Sequence, residues 1–138
     1  MIRILATALL ALCLTASGAF ATSIDELVIV DGLWYERFTD VPFTGEVDEG
    51  RHRGTIKNGT RVGPWVAYYV DGRLWYKGAY KSGKQEGPWV AYWENGRLRY
   101  KGTYKNDRKE GPWLWYNEDG TTDEDLSGTY RNDVKVSD

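Results

Sequence analysis

Between Gly54 and Tyr130 the chain alternates short runs rich in Trp, Tyr, Val and Leu with turn residues. Apolar residues alternate with polar ones inside the runs, and Gly sits next to Asp or Asn between them. This period of two, together with the aromatic and β-branched content, predicts strands and excludes helix. Asp71-Gly72 and Asn95-Gly96 stand between such runs, and these pairs readily take the positive φ of a two-residue type I′ hairpin turn. That loop predicts a register in which Val70 faces Arg73, Tyr69 faces Leu74, Ala67 faces Tyr76 and Trp65 faces Gly78. In the next copy Trp89 falls on Gly102, Ala91 on Tyr100 and Trp93 on Leu98. An indole then covers a glycine without a side chain, and a small Ala accommodates a Tyr, which makes one face of the sheet the core.

The pattern has a period. Gly63-Pro64-Trp65, Gly87-Pro88-Trp89 and Gly111-Pro112-Trp113 recur every 24 residues, and the same offset carries Gly72 to Gly96 and Gly78 to Gly102. A single hairpin of this size buries too little to stand alone, whereas stacked copies share their buried faces. The second turn of each unit falls near Ser82-Gly83 and Asn106-Asp107, and the proline, lacking an N–H, is expected at a strand start or edge. The fold class that follows is all-β: tandem antiparallel β-hairpin repeats forming one elongated twisted sheet. Residues 22–53 read as an N-terminal cap of degenerate strands, 54–133 as the repeat array and 134–138 as a frayed tail.

The combined pattern Gly-Pro-Trp-x-x-Tyr-x-x-(Asp/Asn)-Gly-x-Leu-x-Tyr-x-Gly-x-Tyr, over roughly residues 50–133, resembles MORN repeats in their bacterial variant form. Proteins built this way are often labelled YwqK-type antitoxins of toxin–antitoxin systems. The resemblance implies an elongated antiparallel sheet serving as a scaffold or contact surface, with protein or phospholipid partners. It brings no catalytic residues.

Composition narrows the task. The formal charge is −2, with both signs interspersed, which gives no overall basic field to gather nucleic acid. Arg3, the apolar stretch Ile4–Leu14 and Ala19-Phe20-Ala21 have the layout of a cleavable signal peptide, with the cut after Ala21. The apolar stretch is too short to span a bilayer. A periplasmic or secreted location is therefore expected, and the product from Thr22 onward contains no cysteine.

Enzymatic chemistry finds little support, and neither a catalytic residue nor a metal or other cofactor is expected. His52 is the lone histidine, flanked by Arg51 and Arg53, and reads as a surface residue held neutral by its neighbours. Glu86 and Glu110 each precede Gly-Pro-Trp, but as repeat equivalents they are turn residues, whereas acid–base catalysis wants two unlike environments. The acidic stretch from Asn117 to Asp125 fails the calcium-loop pattern, which would put Trp115 and Leu126 at ligand positions.

Binding is the better expectation. The face opposite the core is expected to present Tyr68, Arg73, Trp75 and Lys77, then Tyr92, Arg97, Arg99 and Lys101, with Tyr116 continuing the line. Rings and cations at fixed spacing suit anionic groups. The structural positions are Gly63, Trp65, Gly72, Gly78, Gly87, Trp89, Gly96, Gly102, Gly111 and Trp113. The function expected is a non-enzymatic exported scaffold for a protein partner. Alternatives are a binding module for anionic phospholipid or envelope polymer, and an antitoxin-like neutralising protein. Intact-mass measurement of the exported product is expected to give a chain beginning at Thr22; retention of residues 1–21 would refute the leader assignment.

Overall fold

The computed structural model describes residues 22–138, so the proposed leader lies outside the described residues. The chain opens with β1 (Thr22–Ser23), a 3-10 turn over Ile24–Glu26, and a separate two-stranded hairpin of β2 (Leu27–Val30) and β3 (Leu33–Glu36). The main sheet is then laid down almost in chain order: β4 (Gly45–Glu49), β5 (His52–Lys57), β6 (Thr60–Tyr68), β7 (Leu74–Lys81), β8 (Lys84–Gln85), β9 (Gly87–Tyr92), β10 (Leu98–Lys105), β11 (Arg108–Trp115), β12 (Gly128–Arg131) and β13 (Val134–Ser137). β1 joins its edge by parallel pairing with β4, and β8 is a short extension paired only with β7. Val134–Ser137, expected to fray, instead pairs with β12.

The all-β repeat architecture is as the sequence implied, and the register through each hairpin stem agrees. Trp65 lies opposite Gly78, Ala67 opposite Tyr76, Trp89 opposite Gly102 and Ala91 opposite Tyr100. Near the turn it differs. Gly72 N–H donates to the Tyr69 carbonyl and Tyr69 N–H to the Arg73 carbonyl, so three residues close the loop. Only Gly72 has positive φ there, at 84°, which fits a type I turn followed by a left-handed glycine. The extra loop residue is absorbed by a bulge at Trp75, so Tyr68 pairs with Leu74, and Tyr92 rather than Trp93 pairs with Leu98. The type I′ turns lie at the other ends of the strands: Asn58-Gly59, Ser82-Gly83, Asn106-Asp107 and Asn132-Asp133 all carry positive φ at both residues.

Pro88 stands at the start of β9, as expected, but Pro64 and Pro112 lie inside their strands. Gly63-Pro64 and Gly111-Pro112 interrupt the register toward the preceding strand, where Gly54 pairs with Trp65 but Thr55 with Val62. The bulge places Pro64 inside β6. A bulge leaves a residue without a ladder partner, so a missing N–H is harmless there.

Across the sheet Gly54, Trp65, Gly78, Trp89, Gly102, Trp113 and Gly128 form one row. The indoles all lean toward the preceding strand: a Cβ on Gly54, Gly78 or Gly102 would fall 2.1, 1.9 or 2.2 Å from an atom of Trp65, Trp89 or Trp113. Gly54, Gly78 and Gly102 are thus each covered by the tryptophan that follows, rather than by the preceding one, as the hairpin pairing had implied. Trp65 and Trp113 are buried to within 1% of full enclosure. Tyrosines interleave edge-on: Tyr80 meets Trp65 and Trp89 at 5.9 and 5.3 Å between centroids, and Tyr104 meets Trp89 and Trp113 at 5.7 and 4.8 Å. At the N-terminal end Ile24, Leu27, Phe43, Val47 and Ile56 extend the same core. Burial of one such ring is worth about 1.5–3 kcal/mol, and each edge-on pair roughly another 0.5–1.5.

Gly78→Ala is expected to destabilise the fold by about 1–3 kcal/mol through overpacking. In a double-mutant cycle by urea unfolding, pairing it with Trp89→Leu should cost less than the sum of the two single changes. Strict additivity would show that indole and glycine are not in contact.

Candidate functional site

Residues that alternate with the buried row face the other way. There Arg53, Val66, Lys77, Val90, Lys101 and Leu114 form a second row across the sheet, each directly opposite the next. Beside it lie Pro64 opposite Ala79, Pro88 opposite Thr103 and Pro112 opposite Thr129. All of these except Arg53 and Thr129 line an open groove of about 670 Å³ whose walls are mainly apolar. Lys77 and Lys101 are exposed, and neither forms an ion pair among the described residues. They sit two strands apart, about 9.6 Å at the usual strand spacing.

The nine residues expected to form a binding stripe divide into three groups. Lys77 and Lys101 are on the groove face. Tyr68, Tyr92 and Tyr116 share that face by alternation and are half-buried near its margin, where the Arg53 guanidinium lies 5.9 Å from the Tyr68 ring centre. The other four are occupied elsewhere. The bulge turns Trp75 onto Tyr69 and Tyr76, at 5.8 and 5.0 Å, and sets Arg99 over the Trp93 ring at 4.4 Å. Arg73 donates to the Glu94 carbonyl, and Arg97, its equivalent one period later, donates to the carbonyls of Glu118 and Asp119. These two arginines tie each turn to the next. Tyr69 and Trp93 do likewise, donating to the carbonyls of Tyr92 and Tyr116 at 2.7 and 3.0 Å. The continuous stripe of rings and cations is therefore broken.

The groove walls were not anticipated, although their signal was present. Pro64, Pro88 and Pro112, and Val66, Val90 and Leu114, repeat every 24 residues at positions two apart, on the opposite parity from Ala67 and Ala91.

Glu86, Glu110, His52, Arg61 and Lys109 have structural roles. Glu86 and Glu110 accept the backbone N–H of Asn106 and Asn132 at 2.8 and 3.1 Å, the equivalent turn roles their repetition implied. His52 is half-buried rather than on the surface, accepting from the Trp65 indole at 3.4 Å through Nδ1. Burial first, and then the charges of Arg61 and Arg51, hold it below the ordinary histidine value and hence neutral. Arg61 lies 5.1, 4.9 and 5.1 Å from the rings of Trp34, Trp65 and Tyr80 and donates to the Tyr80 hydroxyl at 2.9 Å. Lys109 repeats this arrangement over Trp113, Trp115 and Tyr130.

Residues 85–106 match the family described as MORN repeat variant, which supports reading the chain as a MORN-repeat protein. No curated protein matches it. The matched segment spans the end of β8, all of β9 and β10, and the Asn95-Gly96 turn, just short of one 24-residue period of the array. Repeats of this kind are generally non-catalytic modules and are often involved in protein or membrane binding.

Burial pushes the phenols of Tyr76 and Tyr104 up to about 12, from an ordinary value near 10. The unfolded chain releases these protons first, so the stability they contribute is complete below pH ~10 and is lost as pH rises toward ~12. The urea midpoint is expected to fall steeply across that window. Ionisation followed at 295 nm should show the buried phenols titrating after the exposed ones; a single transition near pH ~10 with no loss of stability would contradict their enclosure.

Proposed function

We propose that this chain is a non-enzymatic, exported repeat scaffold whose groove face docks a partner protein through an apolar segment carrying acidic side chains. The observation that supports the reading is the row Arg53–Val66–Lys77–Val90–Lys101–Leu114, in which aliphatic and cationic side chains alternate beside Pro64, Pro88 and Pro112. Aliphatic positions supply burial; the lysines supply orientation and suppress basic partners. The stiffness of the sheet means that little backbone ordering is required on this side of the complex. Export is supported by Arg3, Ile4–Leu14 and Ala19-Phe20-Ala21, and places the partner in the periplasm or outside the cell. An antitoxin role would then need a toxin in the same compartment.

A second reading has the same face resting on anionic lipid or an envelope polymer, favoured by the exposure of Lys77 and Lys101. The two are separated by Val90→Asp and by Lys77→Glu/Lys101→Glu, each checked for an unchanged near-ultraviolet circular dichroism spectrum. For protein docking, a partner retained by the parent chain should be lost with either variant, and its affinity should weaken only modestly with salt. Retention by both variants would sink the groove assignment. Binding that needs anionic vesicles and vanishes at high salt would transfer the face to the lipid reading.

A further inference from the structure

The type I′ turn end of the sheet breaks a rule of strand pairing. Lys81 lies directly opposite Lys84, and Lys105 directly opposite Arg108. Like charges facing one another across a ladder destabilise it, and here the arrangement occurs in two successive repeats. None of the four side chains has an ion-pair partner among the described residues. The nearby carboxylates are engaged by backbone groups: Glu86 and Glu110 accept from Asn106 and Asn132, and Asp107 and Asp133 accept from the N–H groups of Gln85 and Lys109 at 2.6 and 2.7 Å. Lys84, Lys105 and Arg108 converge with Arg131 from the following turn on a polar cavity of about 470 Å³, where Glu110 is the one carboxylate. The lining therefore carries four cations against one anion. No hydrogen bond within the fold uses any of these four cationic heads among the described residues.

We propose that this cavity is a binding site for a ligand bearing two or more phosphate groups. A sequence that sets like charges face to face without internal compensation has left a local conflict that an external anion would relieve. Phosphate suits the donors: Arg108 and Arg131 each offer a planar fork to two oxygens, and Lys84 and Lys105 add point charges. The cations come from three successive turns, whose equivalent positions lie two strands apart, about 9.6 Å. A single phosphate reaches one turn; a chain of them or a phosphorylated head group reaches two. The site lies apart from the apolar groove and uses none of its residues.

The test is calorimetric titration of the purified protein with sodium tripolyphosphate at low ionic strength, alongside sedimentation with phosphatidylcholine vesicles containing one-third phosphatidate. Saturable tripolyphosphate binding that weakens with salt is expected, falling about tenfold or more in Lys105→Gln/Arg108→Gln and little changed in Lys77→Gln/Lys101→Gln. Because the double change removes a repulsion, its melting temperature should hold or rise. Sedimentation without tripolyphosphate binding would overturn the proposal, because each phosphatidate head group carries a single phosphate and reaches only one turn. The proposal is overturned if neither probe binds, if citrate binds as well as tripolyphosphate, if the two variants lose binding equally, or if the melting temperature of the Lys105/Arg108 variant drops.

Discussion

An indole laid flat on a bare glycine is the contact on which the rest of this molecule depends. A single-layer sheet has no second layer to cover its core, so its large side chains must enclose one another. Alternating Trp with Gly along one row solves the packing problem: the glycine leaves a space that the neighbouring ring fills, and the ring then lies low enough for Tyr80 and Tyr104 to close over its edges. A row of seven aromatic side chains side by side would overpack, and a row of alanines would bury too little. The next row repeats the device with His52, Ala67, Tyr76, Ala91 and Tyr100.

Where the sequence was legible, it was because chemistry repeated. The 24-residue period, the strand character and the stem register all follow from Gly-Pro-Trp and from which residues must share a face. Turn chemistry was harder to read because Asp71-Gly72 satisfies two geometries. A type I′ turn needs positive φ at both residues, whereas the turn formed needs it at Gly72 alone, with Asp71 instead accepting the Arg73 N–H through its carboxylate at 2.9 Å. That one-residue difference displaced Trp75 and Arg99 while Tyr68 stayed where the two-residue loop had put it, since the bulge formed on the opposite strand. The roles of Arg73 and Arg97 were illegible for a different reason: their acceptors are backbone carbonyls in the next repeat, and no residue type marks such a carbonyl.

The period writes both faces at once. Because side chains alternate strictly, a repeat that fixes Trp65, Trp89 and Trp113 inward also fixes Val66, Val90 and Leu114 outward one residue later, and Lys77 and Lys101 between them. The groove therefore comes with the array, at a pitch set by strand spacing rather than by any local loop. Loops ordinarily carry function on a rigid scaffold. Here the three-residue loops are held to one another by Tyr69, Arg73, Trp93 and Arg97, so they are part of the scaffold, and the sheet surface is left to meet partners.

Charge sharpens that division. The chain is weakly acidic as a whole, yet its outward face gathers Arg53, Lys77 and Lys101 on one line and Lys81, Lys84, Lys105, Arg108 and Arg131 on another. Cations on the buried face are handled differently: Arg61 and Lys109 lie over rings in cation–π contact. The carboxylates that would neutralise the turn end are bound to backbone N–H groups one repeat away, where they lock neighbouring turns together. At this end of the sheet, holding the turns together engages the acids and leaves the bases facing solvent. A repeat stabilised in this way acquires a basic face without any increase in its net charge.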